Sequence, residues 1–316
     1  MYNFALIGAA GYIAPRHMAA IRDTKNNLIA AYDKFDSVGI LDSFFPESHF
    51  FIEFERFDRY VDKLRRDPGK KAIDYISVCS PNYLHDSHIR FGLRSGCDVI
   101  CEKPIVLNPW NIDGLLQMEK ETGKKVYSIL QLRIHPVIKA LREKILNSGN
   151  KMFDVELTYV TSRGKWYMQS WKGDSNKSGG IATNIGVHFF DLLSYLFGEV
   201  KINRLYHSSS EKVSGYLEYS HARVKWFLSV DCNDLPEEQK KAGKRVFRSM
   251  TIDKEEIEFS EGFTDLHTRV YAEIMQGNGF GLEDARPAIA TVAEIRNLTP
   301  AALTGDYHPY LMKLKS

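Results

Sequence analysis

The first third of the chain alternates short apolar runs with helical stretches, and this alternation limits the possible folds more than any other feature. It begins with the run Phe4 to Ile7, which ends at Gly8 and precedes a predicted helix from Pro15 to Thr24. Another helix is predicted from His85 to Ser95, with Gly96 as its stop. Further runs typical of buried parallel strands are Leu28 to Tyr32, Ile73 to Cys79, Asp98 to Cys101 and Val126 to Leu132. This order predicts an α/β fold with a doubly wound parallel sheet.

The pattern changes in the second half, where longer alternating strands replace the strand–helix units. Phe153 to Thr161 alternates apolar and polar residues, and further strands are predicted within Tyr216 to Val230 and Ile252 to Phe259. Helices are predicted at Val187 to Phe197 and near Glu283 to Asn297. Long strands with few crossover helices predict a C-terminal α/β domain with a large, open, mainly antiparallel sheet.

Length and charge narrow the class of protein. The chain has 316 residues, and with the change of pattern this predicts domains at residues 1–135 and 136–316. The net charge of +2 is not the basic footprint of a nucleic-acid-binding protein. No apolar run approaches the ~20 residues that span a bilayer, and the N-terminus does not have the pattern of a signal peptide. We expect a cytoplasmic protein with no nucleic-acid or membrane partner. Its cysteine spacings predict buried free thiols and no metal site: Cys79, Cys97, Cys101 and Cys232.

The turn after the first strand is the first candidate site. Gly8, Gly11 and the following helix bring backbone N–H groups and a positive dipole end together, as in pyrophosphate sites. The two glycines are one residue too far apart for G-x-G-x-x-G. The second strand ends in Asp33, where a carboxylate would accept hydrogen bonds from an adenine-ribose diol and repel a 2′-phosphate. The pattern predicts a Rossmann domain that prefers NAD, with a helix N-cap as the alternative role of Asp33.

Two motifs follow later strands and therefore lie at the carboxyl edge of the sheet, where ligands bind in open α/β folds. The first is Ser80-Pro81-Asn82-Tyr83-Leu84-His85, and the second is Glu102-Lys103-Pro104. A lysine at the end of a buried strand is an unusual structural choice, so we predict that Lys103 belongs to the site. The alternative is an ordinary surface lysine. The sequence leaves open whether the bond before Pro104 is cis.

These motifs, in this order, resemble those of the glucose-fructose oxidoreductase and inositol dehydrogenase family. The third motif of that family is similar to the segment from Gly179 to Asp191, in which Asn184 replaces the usual Asp. Asn184 can hydrogen-bond a sugar hydroxyl but cannot act as a base. The resemblance implies an NAD-dependent sugar dehydrogenase with Lys103 and His188 as catalytic residues. The implied cofactor-binding residues are Gly8, Ala10, Gly11, Tyr12, Ile13, Asp33, Ser37, Ser80, Pro81, Asn82, His85, Glu102, Lys103 and Gln131.

Four segments have a closer likeness, to the UDP-N-acetyl-2-amino-2-deoxyglucuronate dehydrogenases of bacterial O-antigen and lipopolysaccharide synthesis. They are Ala9 to Met18, Ser37 to Asp42, Leu130 to Arg133 and Arg163 to Asp174. This likeness implies oxidation of the C3 hydroxyl of the UDP-sugar to a ketone with NAD, by a homotetramer. It leaves open whether a 2-oxo acid such as 2-oxoglutarate reoxidises bound NADH.

The residues themselves agree with such a substrate. Cationic side chains suit a diphosphate and a carboxylate, and aromatic rings can stack on a sugar or uracil. The predicted substrate-binding residues are Arg16, Arg133, Arg163, Lys165, Tyr167, Trp171, Asn184 and His188. The basic and aromatic segment from Arg163 to Lys172 is also typical of a subunit interface, because Trp, Tyr and Arg are enriched there.

His188 is the predicted general base, because an imidazole can take the hydroxyl proton as hydride leaves the carbon. Lys103 is then the cation that orients the hydroxyl, although a desolvated lysine can also serve as the base. His85 is predicted to cap a helix or to touch the nicotinamide end. Two other functions remain open. A dehydrogenase of a free sugar or inositol would not need the cationic segment, and a silent sensor of NAD and sugar would not need both Lys103 and His188.

Overall fold

A computed structural model describes residues 1–67, 69, 72–257 and 265–313, which form two compact units. The first comprises Met1–Ile134 together with residues 265–286. The second comprises the described residues of His135–Phe263 and Pro287–Ser316. Our division at residue 135 places residues 265–286 in the second domain, whereas in the structure they cluster with the first unit.

Strands and helices alternate through the first unit, and long strands dominate the second. The strands are β1 (Asn3–Ile7), β2 (Asn27–Tyr32), β3 (His49–Phe51), β4 (Tyr75–Val78), β5 (Asp98–Cys101), β6 (Val126–Ser128), β7 (Phe153–Thr161), β8 (Val200–Ser208), β9 (Lys212–Tyr219), β10 (Ala222–Ser229), β11 (Val246–Ile252) and β12 (Glu255–Glu256). The helices are α1 (Ala14–Asp23), α2 (Phe54–Arg66), α3 (His85–Arg94), α4 (Pro109–Thr122), α5 (Pro136–Leu146), α6 (Trp166–Gln169), α7 (Ser175–Ser178), α8 (Gly180–Asn184), α9 (Val187–Phe197), α10 (Glu237–Lys241), α11 (Leu266–Met275), α12 (Leu282–Asn297) and α13 (Tyr310–Lys313).

The first unit is built on a parallel six-stranded sheet with the order β3-β2-β1-β4-β5-β6. The strands are apolar because helices cover the sheet, and Phe4, Leu6, Ile76 and Val99 are all 0% exposed. The strand order reverses between β1 and β4, which is where doubly wound sheets bind ligands. The predicted Rossmann-type fold is confirmed.

The predicted strand from Val126 to Leu132 is too long. β6 ends at Ser128, and Gln131–Ile134 forms a 3-10 turn. The backbone N–H of Leu130 donates to the carbonyl of Ser128, which turns the chain away from the sheet. The turn leaves Gln131 close to the end of β5 rather than within a strand.

The second unit contains a mixed six-stranded sheet with the order β12-β11-β7-β10-β9-β8. Only β7 and β10 pair in parallel among these strands, so the prediction of a mainly antiparallel sheet is confirmed. Helix α9 packs on this sheet through Phe190 against Trp226, with ring centroids 5.3 Å apart, and Phe197 against Phe153, 5.9 Å apart.

The predicted strand from Ile252 to Phe259 is wrong where the structure describes it. Ile252 ends β11, and β12 is limited to Glu255–Glu256. Asp253 and Lys254 have φ angles of 50° and 72°, which form the tight turn between the two strands. Residues 258 and 259 lie outside the described part of the chain.

Two predictions about the whole chain can be compared with the described residues. Cys79, Cys97 and Cys101 are buried free thiols, but Cys232 is exposed because it lies in a surface turn after β10. No helix in the described part of the chain is long and apolar enough to cross a membrane.

Candidate active site

The glycine turn after β1 is shaped for close approach between backbone segments. Gly8 has a φ of +96°, and a Cβ placed there would lie 2.6 Å from the carbonyl carbon of Cys79. A side chain would therefore push β1 away from the end of β4. Among the residues described, no side chain caps α1 and no acidic residue lies in its first turn. The first turn of α1 thus carries no acidic side chain of its own, which suits a pyrophosphate at the positive end of the helix dipole.

Asp33 closes this turn from the end of β2. Its Oδ2 accepts a hydrogen bond from the N–H of Ala10 at 3.0 Å, and its Oδ1 accepts one from the N–H of Phe35 at 3.0 Å. The next helical segment starts only at Gly39, so Asp33 is not a helix N-cap. Each oxygen keeps a lone pair that can accept a ribose hydroxyl. The residues of this turn therefore fit a dinucleotide with a free ribose diol.

The Ser80–His85 segment lies beside the Glu102–Pro104 segment, and His85 joins them. Its Nδ1 lies 2.7 Å from the carbonyl oxygen of Pro104, and its Nε2 lies 2.7 Å from that of Ser80. His85 is 1% exposed, and burial lowers its pKa despite these two carbonyls and the charge of Glu102. Both ring nitrogens thus lie on loop carbonyls, and the N-cap of α3 is Leu84, so the His85 side chain does not cap that helix. Pro81 is partly exposed, and Asn82 is buried in the turn before α3.

Lys103 is not an ordinary surface lysine, because its side chain is only 14% exposed. Its Nζ donates a hydrogen bond to Oε1 of Gln131 at 2.8 Å and lies 3.5 Å from Oε2 of Glu102. The bond between Lys103 and Pro104 is cis. The structure thus brings the end of β5 and the turn after β6 together around one ammonium group.

Glu102 is an ionised carboxylate in a buried position. Burial alone would raise its pKa, but the Lys103 charge and hydrogen bonds from His17 and His267 hold that pKa well below its usual value. Nε2 of His17 lies 2.9 Å, and Nε2 of His267 2.8 Å, from Oε1 of Glu102. Neither histidine is among the site residues predicted from the sequence. The residues along α1 and α11 give no signal that would have paired them with Glu102.

The other predicted residues of the first unit differ in exposure. Tyr12 is 91% exposed, and Arg16 and Ser37 are also exposed, whereas Ile13 is partly buried at the start of α1. Arg133 is buried, because its guanidinium donates to Oδ1 and the carbonyl oxygen of Asp284 at 3.2 Å and 2.7 Å.

In the second unit, Asn184 and Tyr167 form one hydrogen-bonded pair. Nδ2 of Asn184 donates to the hydroxyl of Tyr167 at 2.7 Å. The Tyr167 ring is 2% exposed, so the prediction that it stacks on a sugar or uracil is wrong. Burial raises the pKa of Tyr167 despite the hydrogen bond from Asn184 and the charge of Arg163, so its hydroxyl stays protonated at neutral pH.

The basic and aromatic segment orders its side chains around Lys172. Nζ of Lys172 lies 4.4 Å from the ring centroid of Trp171 and 5.5 Å from that of Trp166. Burial and the nearby charge of Arg163 lower the pKa of Lys172. Lys165 and Arg163 are exposed. This arrangement holds several cations at one edge of the second unit.

His188 lies in the first turn of α9, next to the glycine-rich segment that precedes this helix. Its ring centroid is 4.2 Å from that of Phe189 and 5.8 Å from that of Tyr159. The imidazole is half-buried. Aromatic packing therefore fixes the ring while leaving part of it accessible.

These features define a dinucleotide-binding oxidoreductase: a Rossmann-type sheet with a glycine turn, a carboxylate after β2 and a hydrogen-bonded lysine after β5. The chain belongs to the Gfo/Idh/MocA oxidoreductase family. Residues 2–129 match the family's NAD-binding Rossmann fold, and residues 150–236 match its C-terminal α/β domain. NAD is therefore the cofactor of this fold.

Two solved structures resemble the whole chain. The WlbA (WbpB) dehydrogenase from Thermus thermophilus, in complex with NAD and alpha-ketoglutarate, is 49% identical with a TM-score of 0.94, covering 98% of this chain and 100% of that one. The same dehydrogenase with NAD and UDP-GlcNAcA gives 48% identity, with the same TM-score and coverage.

A curated relative is more distant. D-glucoside 3-dehydrogenase from Escherichia coli (strain K12) is 26% identical over 217 residues, which are 66% of this chain and 58% of that protein. The chain thus spans less than two thirds of the length of this relative.

Proposed function

We propose that the protein is an NAD-dependent dehydrogenase that oxidises the C3 hydroxyl of UDP-N-acetyl-2-amino-2-deoxyglucuronate to a ketone. The observation that carries this proposal is the partly buried, hydrogen-bonded ammonium of Lys103 at the carboxyl edge of the Rossmann sheet. The similarity to a dehydrogenase crystallised with NAD and UDP-GlcNAcA supports the choice of sugar. NAD, when bound, supplies the acceptor for the hydride that leaves C3.

Lys103 is proposed to orient the reacting hydroxyl. Its Nζ hydrogen-bonds Gln131 and lies beside the carboxylate of Glu102. An ammonium has three N–H donors, so it can donate another to a substrate oxygen. A cation at this place favours the negative charge that develops on the oxygen as its proton leaves.

His188 is proposed to take the hydroxyl proton. A carbonyl forms only when the O–H bond breaks as the C–H bond breaks, so a base must accept that proton. An imidazole can accept a proton from a hydroxyl, and the packing of Phe189 fixes the ring of His188. Asn184 cannot act as a base, and we propose that it hydrogen-bonds a sugar hydroxyl while Tyr167 holds its amide.

The cations of the second unit are proposed to bind the anionic parts of the substrate. The pKa of Lys172 is lowered by burial and by the charge of Arg163, which means that the two cations repel. A diphosphate or carboxylate beside them would relieve this repulsion. A neutral sugar would not. The repulsion between these cations therefore favours the UDP-sugar over a free sugar or inositol.

To test the proposal, the protein is incubated with NAD and each sugar of a panel, and NADH formation is followed by its absorbance. We expect NADH formation with UDP-N-acetyl-2-amino-2-deoxyglucuronate and much less with glucose, inositol or free N-acetylglucosamine. Adding 2-oxoglutarate tests whether bound NADH is reoxidised in place, because continued ketone formation without free NADH is then expected. Turnover of the neutral sugars alone would overturn the proposed substrate, and no turnover of any sugar would favour a silent sensor.

A further inference from the structure

A buried chain of hydrogen bonds lies behind Lys103 in the first unit, and the proposed chemistry does not use it. We call it the Glu102 chain. Its five members are at most 7% exposed. They are Ser77, Tyr271, His17, Glu102 and His267. They come from β4, α11, α1 and the end of β5, so one series of hydrogen bonds joins four separate elements.

The donors in the chain have one consistent order. Oε1 of Glu102 is an acceptor only, so His17 and His267 each present Nε2–H to it, at 2.9 Å and 2.8 Å. When the His17 ring is neutral, its Nδ1 is an acceptor for the hydroxyl of Tyr271 at 2.7 Å. The Tyr271 oxygen lies 2.6 Å from Oγ of Ser77, which donates to it. This order needs no charge on either imidazole. Burial lowers the pKa of His267 despite Glu102, which agrees with a neutral ring.

The other oxygen of Glu102 faces Lys103. Oε2 accepts the backbone N–H of Lys103 at 3.2 Å and lies 3.5 Å from its Nζ. Rotation of the carboxylate would break the two histidine bonds as well as these contacts. The position and charge of Lys103 therefore depend on how firmly the Glu102 chain holds one carboxylate.

A purely structural role does not explain this arrangement. Ionic groups in a protein core are often replaced by apolar residues without loss of stability, because desolvation opposes their attraction. A carboxylate with two histidines and a tyrosine is thus a poor means of filling space between α1 and α11. Fully satisfied buried networks do fix the geometry of the groups they contain.

The same groups are of types that ligate zinc, namely His17, Glu102 and His267. The direct N···O distances of 2.8 Å and 2.9 Å are those of N–H···O hydrogen bonds. The ammonium of Lys103, 3.5 Å from Oε2, would also repel a dication. These contacts favour a hydrogen-bonded carboxylate over a metal centre.

We propose that His17, His267 and Tyr271 are positioning residues that act through Glu102 to hold the ammonium of Lys103 in place. This proposal rests on the proposed function of Lys103 as the cation that orients the substrate hydroxyl. The Glu102 chain extends the site to residues that are remote in sequence, since His267 is 165 residues from Glu102.

The first experiment compares two tyrosines that pack on the same ring. Tyr271 stacks on Phe4 with centroids 5.8 Å apart, and Tyr75 stacks on it at 5.1 Å. Tyr271→Phe keeps the ring but removes the donor to His17, whereas Tyr75→Phe is the control outside the chain. We expect kcat to fall about fivefold in Tyr271→Phe, the worth of one ordinary hydrogen bond. KM and NAD affinity should not change, and Tyr75→Phe should match the wild type.

A conservative pair tests the link at His267. Gln can still donate an N–H to Glu102, and Leu cannot. His267→Gln should therefore keep more of kcat than His267→Leu when both variants unfold at the wild-type temperature. Equal loss in the two variants, or equal kcat in Tyr271→Phe and Tyr75→Phe, would overturn the proposal.

A measurement that needs no sugar substrate tests the role of the Glu102 chain independently of the proposed function. The rate at which Lys103 reacts with acetic anhydride, measured by mass spectrometry across pH, reports how readily its amine loses a proton. Glu102→Gln keeps a carbonyl oxygen for the histidines but removes the negative charge, so the reactive form should appear at lower pH. The titratable groups around Glu102 and Lys103 are His17 on α1, His267 and Tyr271 on α11, and the thiols of Cys79 and Cys101. Burial raises the pKa values of both thiols well above their usual range.

The labelling result decides the matter whether or not a sugar is turned over. A shift in Glu102→Gln and a smaller shift in Tyr271→Phe would support the Glu102 chain even if the substrate panel failed. An unchanged profile in both variants would overturn it. Tight binding of one zinc ion per chain, lost in His267→Gln, would replace it with a metal centre.

Discussion

Replacing Asp33 by Ala is expected to weaken NAD binding far more than NADP binding, and the structure sets the size of the effect. The carboxylate already accepts the N–H groups of Ala10 and Phe35, each at 3.0 Å, and one lone pair on each oxygen remains for the ribose diol. A hydrogen bond to a charged group contributes ~1.5–3 kcal/mol, so losing one of them weakens NAD by roughly 10- to 150-fold. NADP has a phosphate in place of one hydroxyl, and the variant removes a repelling charge.

Part of the loss of affinity is common to NAD and NADP, because Asp33→Ala also removes the hydrogen bond to the backbone N–H of Ala10 in the glycine turn. The ratio of the two dissociation constants is therefore the quantity to measure, by fluorescence titration with NADH and NADPH. Asp36→Ala is the matched control, since Asp36 is an exposed acid three positions on. We expect the NADH preference to fall by roughly tenfold or more in Asp33→Ala and to stay unchanged in the control. Equal losses for both cofactors would show that Asp33 only anchors the turn.

Four further predictions follow from the site and its surroundings. Gly8→Ala should abolish NAD binding and lower the free energy of unfolding by ~1–3 kcal/mol in urea titrations, because the φ of Gly8 is +96° and the new Cβ would meet the backbone of Cys79, just after β4. Wild-type values would contradict the close approach. Lys165→Ala should raise KM for the UDP-sugar without changing NADH affinity, whereas an unchanged KM with dissociating subunits in size-exclusion chromatography would indicate an interface instead. Burial and the nearby His85 lower the pKa of His88 to about 4, below its value in the unfolded chain. The neutral imidazole therefore contributes its full share to the free energy of unfolding above pH ~6.5, and this contribution is lost as the pH falls toward 4. This loss amounts to ~3 kcal/mol, and His88→Gln should remove the corresponding slope of unfolding free energy against pH; an unaltered slope would refute the assignment. In pH profiles of kcat, Lys103→Met should keep an acidic limb near pH ~6.5 and His188→Asn should lose it, and the opposite result would reverse the two roles.

The parallel sheet could be predicted because its strands are buried on both faces. Runs such as Phe4 to Ile7 must then be continuously apolar, and the glycine turn and Asp33 follow from their places after β1 and β2. Where a strand ends is harder to predict. β6 stops at Ser128, whose N–H pairs with the carbonyl of Phe280, a residue remote in sequence.

The hydrogen-bond partners of the site's side chains could not be predicted from the sequence either. Arg133 has the charge expected of a substrate ligand, but its guanidinium pairs with Asp284, 151 residues away. Tyr167 has an aromatic ring suited to stacking, yet the fold buries that ring and leaves its hydroxyl to Asn184. A local pattern gives the residue type and the strand that the residue follows, while tertiary contacts decide which atoms of a side chain remain available.

The transfer of deuterium from C3 tests the proposed reaction most directly. The substrate is UDP-N-acetyl-2-amino-2-deoxyglucuronate with deuterium at C3, incubated with NAD and analysed by mass spectrometry. The proposed reaction predicts one deuterium in the reduced nicotinamide, or in 2-hydroxyglutarate when 2-oxoglutarate reoxidises it, and a 3-keto sugar without deuterium. Lys103→Met and His188→Asn should slow this transfer by ~10²–10⁴-fold. Retention of deuterium at C3 in an oxidised product, or transfer at the wild-type rate in both variants, would contradict it.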